Sequence, residues 1–330
     1  MNANCDNKYI NKLSKFSKTH ILELILFVVS IIIAFTAPGF FTSGNLLNIL
    51  RNASLKGVIA FGMTMVIITG EIDLSVSSTV ALSGVITGTV AGKLAELGIM
   101  PLEYSVIIGM IIAIAVAALV GLLNAIIHTK FNIPTFIITL AMLNVVYGLA
   151  AIISKGFPVT TFPSWYSKIG AGQLGSIPIP AIILLVVFFI VWMVMDYTKF
   201  GRSVYAVGGN RESARLSGIN VKHIKIVVLV MVQVTAAIAG IMVSSQVMSG
   251  AHPFGKGWEM DVISSVIIGG ASLTGGIGKV KGTFIGIIFL GVLLNGMTLL
   301  NINEYVQYVV RGGLILMAVL INTVQSRKAV

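Results

Sequence analysis

The chain has 330 residues, of which 56% are hydrophobic and 10% charged, with a formal net charge of +11. Ordinary globular domains carry about a quarter charged residues, so a soluble core cannot absorb this much apolar surface, and lipid is the expected solvent. The basic excess sits between apolar runs rather than on one face, which excludes a nucleic-acid surface, and the single cysteine, Cys5, excludes an intramolecular disulfide.

In chain order, a tail over 1–19 carries Lys8, Lys12, Lys15 and Lys18 and precedes the first apolar run. That run ends in Phe35-Thr36-Ala37-Pro38 instead of a small-x-small site, so it is expected to stay as a helix and not be cleaved as a signal. An all-α transmembrane bundle of about ten spans follows, at 20–37, 55–70, 73–93, 103–128, 133–153, 179–196, 224–248, 262–278, 281–300 and 305–324. The second, third and eighth are short and rich in Gly, Ser and Thr, and are open to being broken or re-entrant. Fifteen Lys and Arg residues fall on one side of this plan and six on the other, with Arg311 inside the last span. The excess marks the cytoplasmic side and places both termini there.

Glu71 and Asp73 lie at the inner end of the second span, where carboxylates are costly; Asp73 with Ser75 is expected either to cap the third helix or to line a pathway, and Glu71 to line it. Gly84, Gly88 and Gly92 recur every four residues, as do Gly282 and Gly286, a spacing for close helix packing. Asn144, Gln233 and Asn295 lie within spans and need partners, either across helices or in a route for a hydroxylated cargo. The cytoplasmic segment between the sixth and seventh spans, 197–223, divides the chain into six spans and four. Within it Asn210 suits an N-cap, Glu212 the first turn, Arg215 the last and Gly218 a left-handed C-cap, defining a helix of about two turns. So short a helix is marginal alone, which points to a partner. Val66-Ile-Ile-Thr-Gly70 is echoed by Val266-Ile-Ile-Gly-Gly270, a sign of an internal repeat. Gly275-Gly-Ile-Gly278-Lys279 is no phosphate loop, since Leu273 and Val280 stand where Gly and Ser or Thr are needed. His20, His128, His223 and His252 are scattered near span ends and form no metal cluster. Beyond the membrane, 257–261 and the 154–178 loop, with Trp165 and Tyr166, are expected at the outer interface. Arg311 is expected to meet Glu304 there.

Glu212-Ser-Ala214, three residues and Gly218 resemble the E-A-A-x-x-x-G loop by which ABC importer permeases engage their ATPase. Thr198-Lys-Phe-Gly-Arg202 and the string Gly208 to Ile219 are similar to the ribose-type branch of that family. Gly62 to Gly70, Ile72-Asp-Leu-Ser-Val76, Gly257 to Asp261, Ile268 to Gly276 and Gly282-Thr283 extend the resemblance over nearly the whole chain. Where the family has glycine on either side of Ile-Asp-Leu-Ser-Val, this chain has Glu71 and Ser77.

The resemblance implies a permease domain over 20–330 in the bacterial inner membrane, paired with a second permease subunit, that is not itself an enzyme. It further implies a cytoplasmic ATP-binding subunit that holds the ATP, this chain binding no cofactor, and an extracytoplasmic protein that delivers a monosaccharide. Gly208, Gly209, Asn210, Glu212, Ala214, Arg215 and Gly218 would carry ATPase coupling. Glu71, Asp73, Ser75, Asn144, Gln233 and Asn295 would line the substrate pathway. Glu259 and Asp261 would meet the binding protein. A branched-chain amino-acid permease and an ion-driven carrier are the alternatives.

Overall fold

A computed structural model describes residues 21–327, so the tail over 1–19 lies outside the described residues. They fold into a nearly all-helical bundle: α1 (Ile21–Thr36), α2 (Ser43–Ile68), α3 (Val76–Glu96), α4 (Leu102–Phe131), α5 (Thr135–Ile153), α6 (Ser167–Ala171), α7 (Ile179–Tyr197), α8 (Lys199–Gly209), α9 (Arg211–Leu216), α10 (Val221–Val247), α11 (Trp258–Ile268), α12 (Val280–Leu299) and α13 (Glu304–Arg327). Two-residue strands β1 (Gln173–Leu174) and β2 (Ile177–Pro178) pair antiparallel between α6 and α7. Among the described residues six helices, α2, α4, α5, α7, α10 and α12, are long and apolar enough to cross a membrane.

Hydropathy misplaces two elements. It starts the second span at 55, but α2 begins at Ser43, where the Asn45 N–H donates to Thr42 Oγ1 (3.4 Å) as an N-cap. Its first half carries Asn45, Asn48, Asn52 and Lys56 at helical spacing, a polar stripe that an apolar window rejects. The eighth span, expected over 262–278, is helical only as the eleven residues of α11. At 1.5 Å per residue that is about 16 Å, half a hydrocarbon layer.

The centre is built on α2, α3 and α10. Every residue from Gly57 to Ile68 of α2 is buried, and α3 is buried from Val76 to Gly88. Small residues permit this crowding: a Cβ on Gly240 of α10 would sit 2.4 Å from the Val80 carbonyl, and one on Gly84 would sit 3.0 Å from Ser244 Cβ. The peripheral helices turn large apolar side chains outward, among them Leu119, Ile137 and Phe189, each more than half exposed. In water such a surface would aggregate; in lipid it is the solvated face.

One end of the bundle carries α8, α9, the 69–75 segment and the Gly-rich 269–279 loop. The other carries the 154–178 loop, where Val159 and Gly250 exchange two backbone hydrogen bonds of 2.8 Å. Tyr166, expected at an interface, is fully buried there with its hydroxyl 2.7 Å from Ser244 Oγ. The internal echo is physical. After α2, the N–H groups of Gly70 and Glu71 donate to Ile67 and Val66; after α11, those of Gly270 and Ala271 donate to Ile267 and Val266. Gly70 (φ +78°) and Gly270 (φ +90°) take the left-handed turn that this C-cap requires.

Candidate functional site

Three groups of side chains stand out. The first is an arm formed by α8 and α9. Thr198 caps α8 by accepting from the Gly201 N–H (3.2 Å), and the helix buries Gly201, Val204 and Val207. Tyr205 donates from its hydroxyl to the Gly278 carbonyl (3.0 Å). At the end of α8, Gly208 lies against the end of α2: an added Cβ would stand 1.7 Å from the Ile68 carbonyl oxygen and 2.6 Å from Gly276 N. Gly276 itself donates to Ile68 O (2.8 Å). One backbone junction therefore ties the arm to α2 and to the loop after α11.

Beyond it, α9 forms as its local signals dictate. Asn210 Oδ1 accepts from Ser213 N (2.9 Å), Gly218 adopts φ +82°, and Ile219 N donates to Ala214 O (3.0 Å). Arg215 donates to both carboxylate oxygens of Glu212 (2.5 and 3.1 Å), and these bonds hold the Glu212 carboxyl below the usual carboxylate range. Ala214 alone of α9 is buried, while Leu216 is 74% exposed. Position 216 lies about 200° around the helix from 214, so packing Ala214 inward forces Leu216 outward. Sequence reasoning missed Leu216, and that angular relation was the available signal.

The second group closes the 69–75 segment. Asp73 Oδ1 accepts from Ser75 N (2.8 Å) and Ser75 Oγ (2.6 Å), while Gln233 Nε2 donates to Asp73 Oδ2 and to Ser75 Oγ (both 2.8 Å). Asn124 donates to Ser75 Oγ (3.0 Å) and Thr79 to Gln233. Asp73 does not cap α3 itself: Ser75 is the N-cap residue, without a side-chain cap bond, and Asp73 anchors the turn before it. Glu71 pairs with Lys225, lies 3.2 Å from His128 Nε2 and accepts from Thr135 Oγ1 (2.6 Å). Thr139 accepts from the Leu74 N–H (3.1 Å). Glu71, Asp73, Ser75 and Gln233 are thus brought together in a network that pins an unwound segment to α4, α5 and α10.

The third group lines a cavity of about 370 Å³ between α2, α11, α12 and α13. Asp261, expected on an outer docking surface, has a side chain only 4% exposed, bridged by Lys56 (2.5 Å) and Arg311 (3.3 Å). A carboxylate so buried requires cationic partners. Arg311 accordingly pairs with Asp261 and not with Glu304, which accepts from the Tyr308 hydroxyl (2.8 Å). Lys56 Nζ also stands 5.7 Å from the Trp258 ring centre. Asn295 lines the cavity and exchanges two amide hydrogen bonds with Asn45 (2.9 and 2.8 Å). Glu259 is half-buried, its Oε2 without a partner among the described residues. Asn144 is exposed on the outer face of α5, bonded to Leu140 O (3.1 Å) and apart from the other predicted pathway residues. Among the described residues no group of three His, Cys, Asp or Glu is placed to hold a metal.

Residues 45–319 match the family model described as "Branched-chain amino acid transport system / permease component". The chain is 36% identical to the ribose import permease protein RbsC of Escherichia coli (strain K12), over 93% of this chain and 95% of that protein. It is 38% identical to RbsC of Bacillus subtilis (strain 168), over 91% of each. It is 36% identical to the L-arabinose ABC transporter permease protein AraH of Azospirillum brasilense, over 91% of this chain and 86% of that protein. No solved structure matches the chain significantly.

Proposed function

The chain belongs to this permease family, and from that premise we propose that it is the membrane-spanning subunit of an ABC importer that carries a monosaccharide of the ribose or arabinose kind across a bacterial inner membrane. The observation that carries the reading is likeness over more than nine tenths of the chain to permeases named for those two pentoses. The family description also names branched-chain amino acids, but the named relatives above are sugar permeases.

In this reading the helices make ten crossings, α11 and the loop after it together counting as one, and both termini face the cytoplasm, as the excess of basic residues on that side supports. The substrate crosses unmodified. Two permease subunits work with two ATP-binding domains, which hold the ATP, and with an extracytoplasmic sugar-binding protein at the end bearing the 154–178 loop. The arm at 208–218 is the coupling element. Closure of the ATPase pair displaces α9, and the junction at Gly208 passes the displacement to the ends of α2 and of the loop after α11. Helices α2 and α11 also wall the cavity through Lys56, Trp258 and Asp261, so one lever reaches the cargo route directly.

Pentose uptake into membrane vesicles, with and without the ATPase partner and ATP, tests this. Uptake is expected only with both; accumulation sustained by an ion gradient alone would retire the reading.

A further inference from the structure

The cavity beside α11 has a polarity that packing alone does not explain. Lys56 and Arg311 both bond to one carboxylate oxygen of Asp261, Oδ2, and among the described residues no hydrogen bond reaches Oδ1. Arg311 Nε is buried with no partner among them. A carboxylate oxygen only accepts and a guanidinium or ammonium only donates. A hydroxyl can serve both, donating to the carboxylate and accepting from a cation, and neighbouring hydroxyls can do so at two atoms at once.

The surroundings fit the same chemistry. Asn48 and Asn52, one turn apart on α2, are exposed toward the space, and the half-buried Trp258 offers an apolar ring against which the C–H face of a sugar can rest. The volume, 370 Å³, equals about twelve waters at liquid density. Lys56 lies thirteen residues from the start of α2, about 20 Å along its axis, so the charges sit deep in the bundle and not at its rim.

We infer that Asp261, Lys56 and Arg311, with Asn48, Asn52 and Trp258, form a subsite that binds a vicinal diol of the cargo on its way through this subunit. This rests on the importer reading and specifies where and by which atoms the sugar is held. Such a hydroxyl contact to buried charges replaces water with bonds of the charge-assisted kind.

The test uses the assembled transporter in proteoliposomes, with Cys5→Ser as parent and Thr298→Cys, an exposed position that lines the cavity outside the subsite, as the only thiol of this subunit. Labelling by a membrane-impermeant thiol reagent is timed without ATP in the presence of D-ribose, L-arabinose or L-leucine. A pentose that the parent accumulates is expected to slow labelling, and leucine to leave it unchanged. Asp261→Asn is expected to abolish that protection and to lower pentose uptake about tenfold or more, with the ATPase still bound. Should Asp261→Asn fail to fold, Asn48→Leu, at an exposed position, is expected to weaken the protection. Labelling unaffected by a pentose that the parent accumulates overturns the subsite and leaves the importer reading standing. Protection by leucine overturns the diol chemistry, and vesicles that accumulate no pentose overturn both.

Discussion

Gly208 and Ile68 meet backbone to backbone, so closely that any side chain at 208 would have to displace the last carbonyl of α2. Gly209, the next residue, has nothing within 4 Å of where its Cβ would lie. Gly208→Ala is therefore expected to reduce ATP-driven uptake at least about tenfold by prying the arm from α2, on the scale of a misplaced contact remote from the chemistry. Gly209→Ala, which clashes with nothing in this subunit, is expected to lower uptake less than Gly208→Ala does. Uptake assays on equal amounts of assembled protein separate the two.

The turn at Gly218 is left-handed and surrounded by open space. Gly218→Ala should cost about 1 kcal/mol of local stability through backbone strain alone, and Gly218→Asn less, because Asn tolerates that region. Pull-down of the ATPase should rank wild type, Asn, Ala and then Pro; wild-type capture and uptake by Gly218→Pro would remove the coupling role of this turn.

Leu216 projects from the arm, largely exposed, and lies beside Arg215. Leu216→Asp should leave the thermal stability of the isolated subunit unchanged and abolish capture of the ATPase, because an interface that buried leucine would now have to desolvate a carboxylate. Co-purification reads this directly.

Glu212 is held ionised by Arg215, with its pKa lowered. A lowered carboxylate pKa gives an ion pair fully present above the ordinary carboxylate range and lost as pH falls through the lowered value. Capture of the ATPase should accordingly be flat across neutral and mildly acidic pH and respond to salt instead, since the pair is exposed.

In the Glu71–Lys225 pair Lys225 is buried and the Glu71 side chain is only 11% exposed. Lys225→Met should destabilise the subunit by about 3 to 5 kcal/mol, because it strands a carboxylate, and Glu71→Gln in the same chain should recover most of that loss. Unfolding in detergent, compared across the two single variants and the double variant, measures the coupling.

What the sequence made legible was local. The caps of α9 involve partners three to five residues apart, so Asn210, Gly218 and the Glu212–Arg215 spacing were sufficient to place them, and the Val66 and Val266 strings revealed matching helix ends for the same reason. What it hid were pairings across the chain. Lys56 and Asp261 are 205 residues apart and Arg311 a further 50 from Asp261, and no periodicity encodes such encounters. The start of α2 was missed because its polar stripe faces a cavity inside the bundle, where hydropathy reads a break. Glu71, Asp73, Ser75 and Gln233 were singled out as costly groups, but their partners Asn124, Thr135 and Lys225 gave no local sign.

The shortness of α11 carries a consequence for how little must move. A solute that descends beside this half-length helix has already crossed half the layer when it meets the 269–279 loop, which contains five glycines, three of them at positive φ. In the proposed importer, what closes the route below α11 includes this loop, whose glycines lie tight against Gly70, Gly208 and Ile68. In that importer the arm and the loop share one anchor at Ile68, so a short stroke delivered there by the ATPase is expected to reach the route without passing through the rest of the bundle.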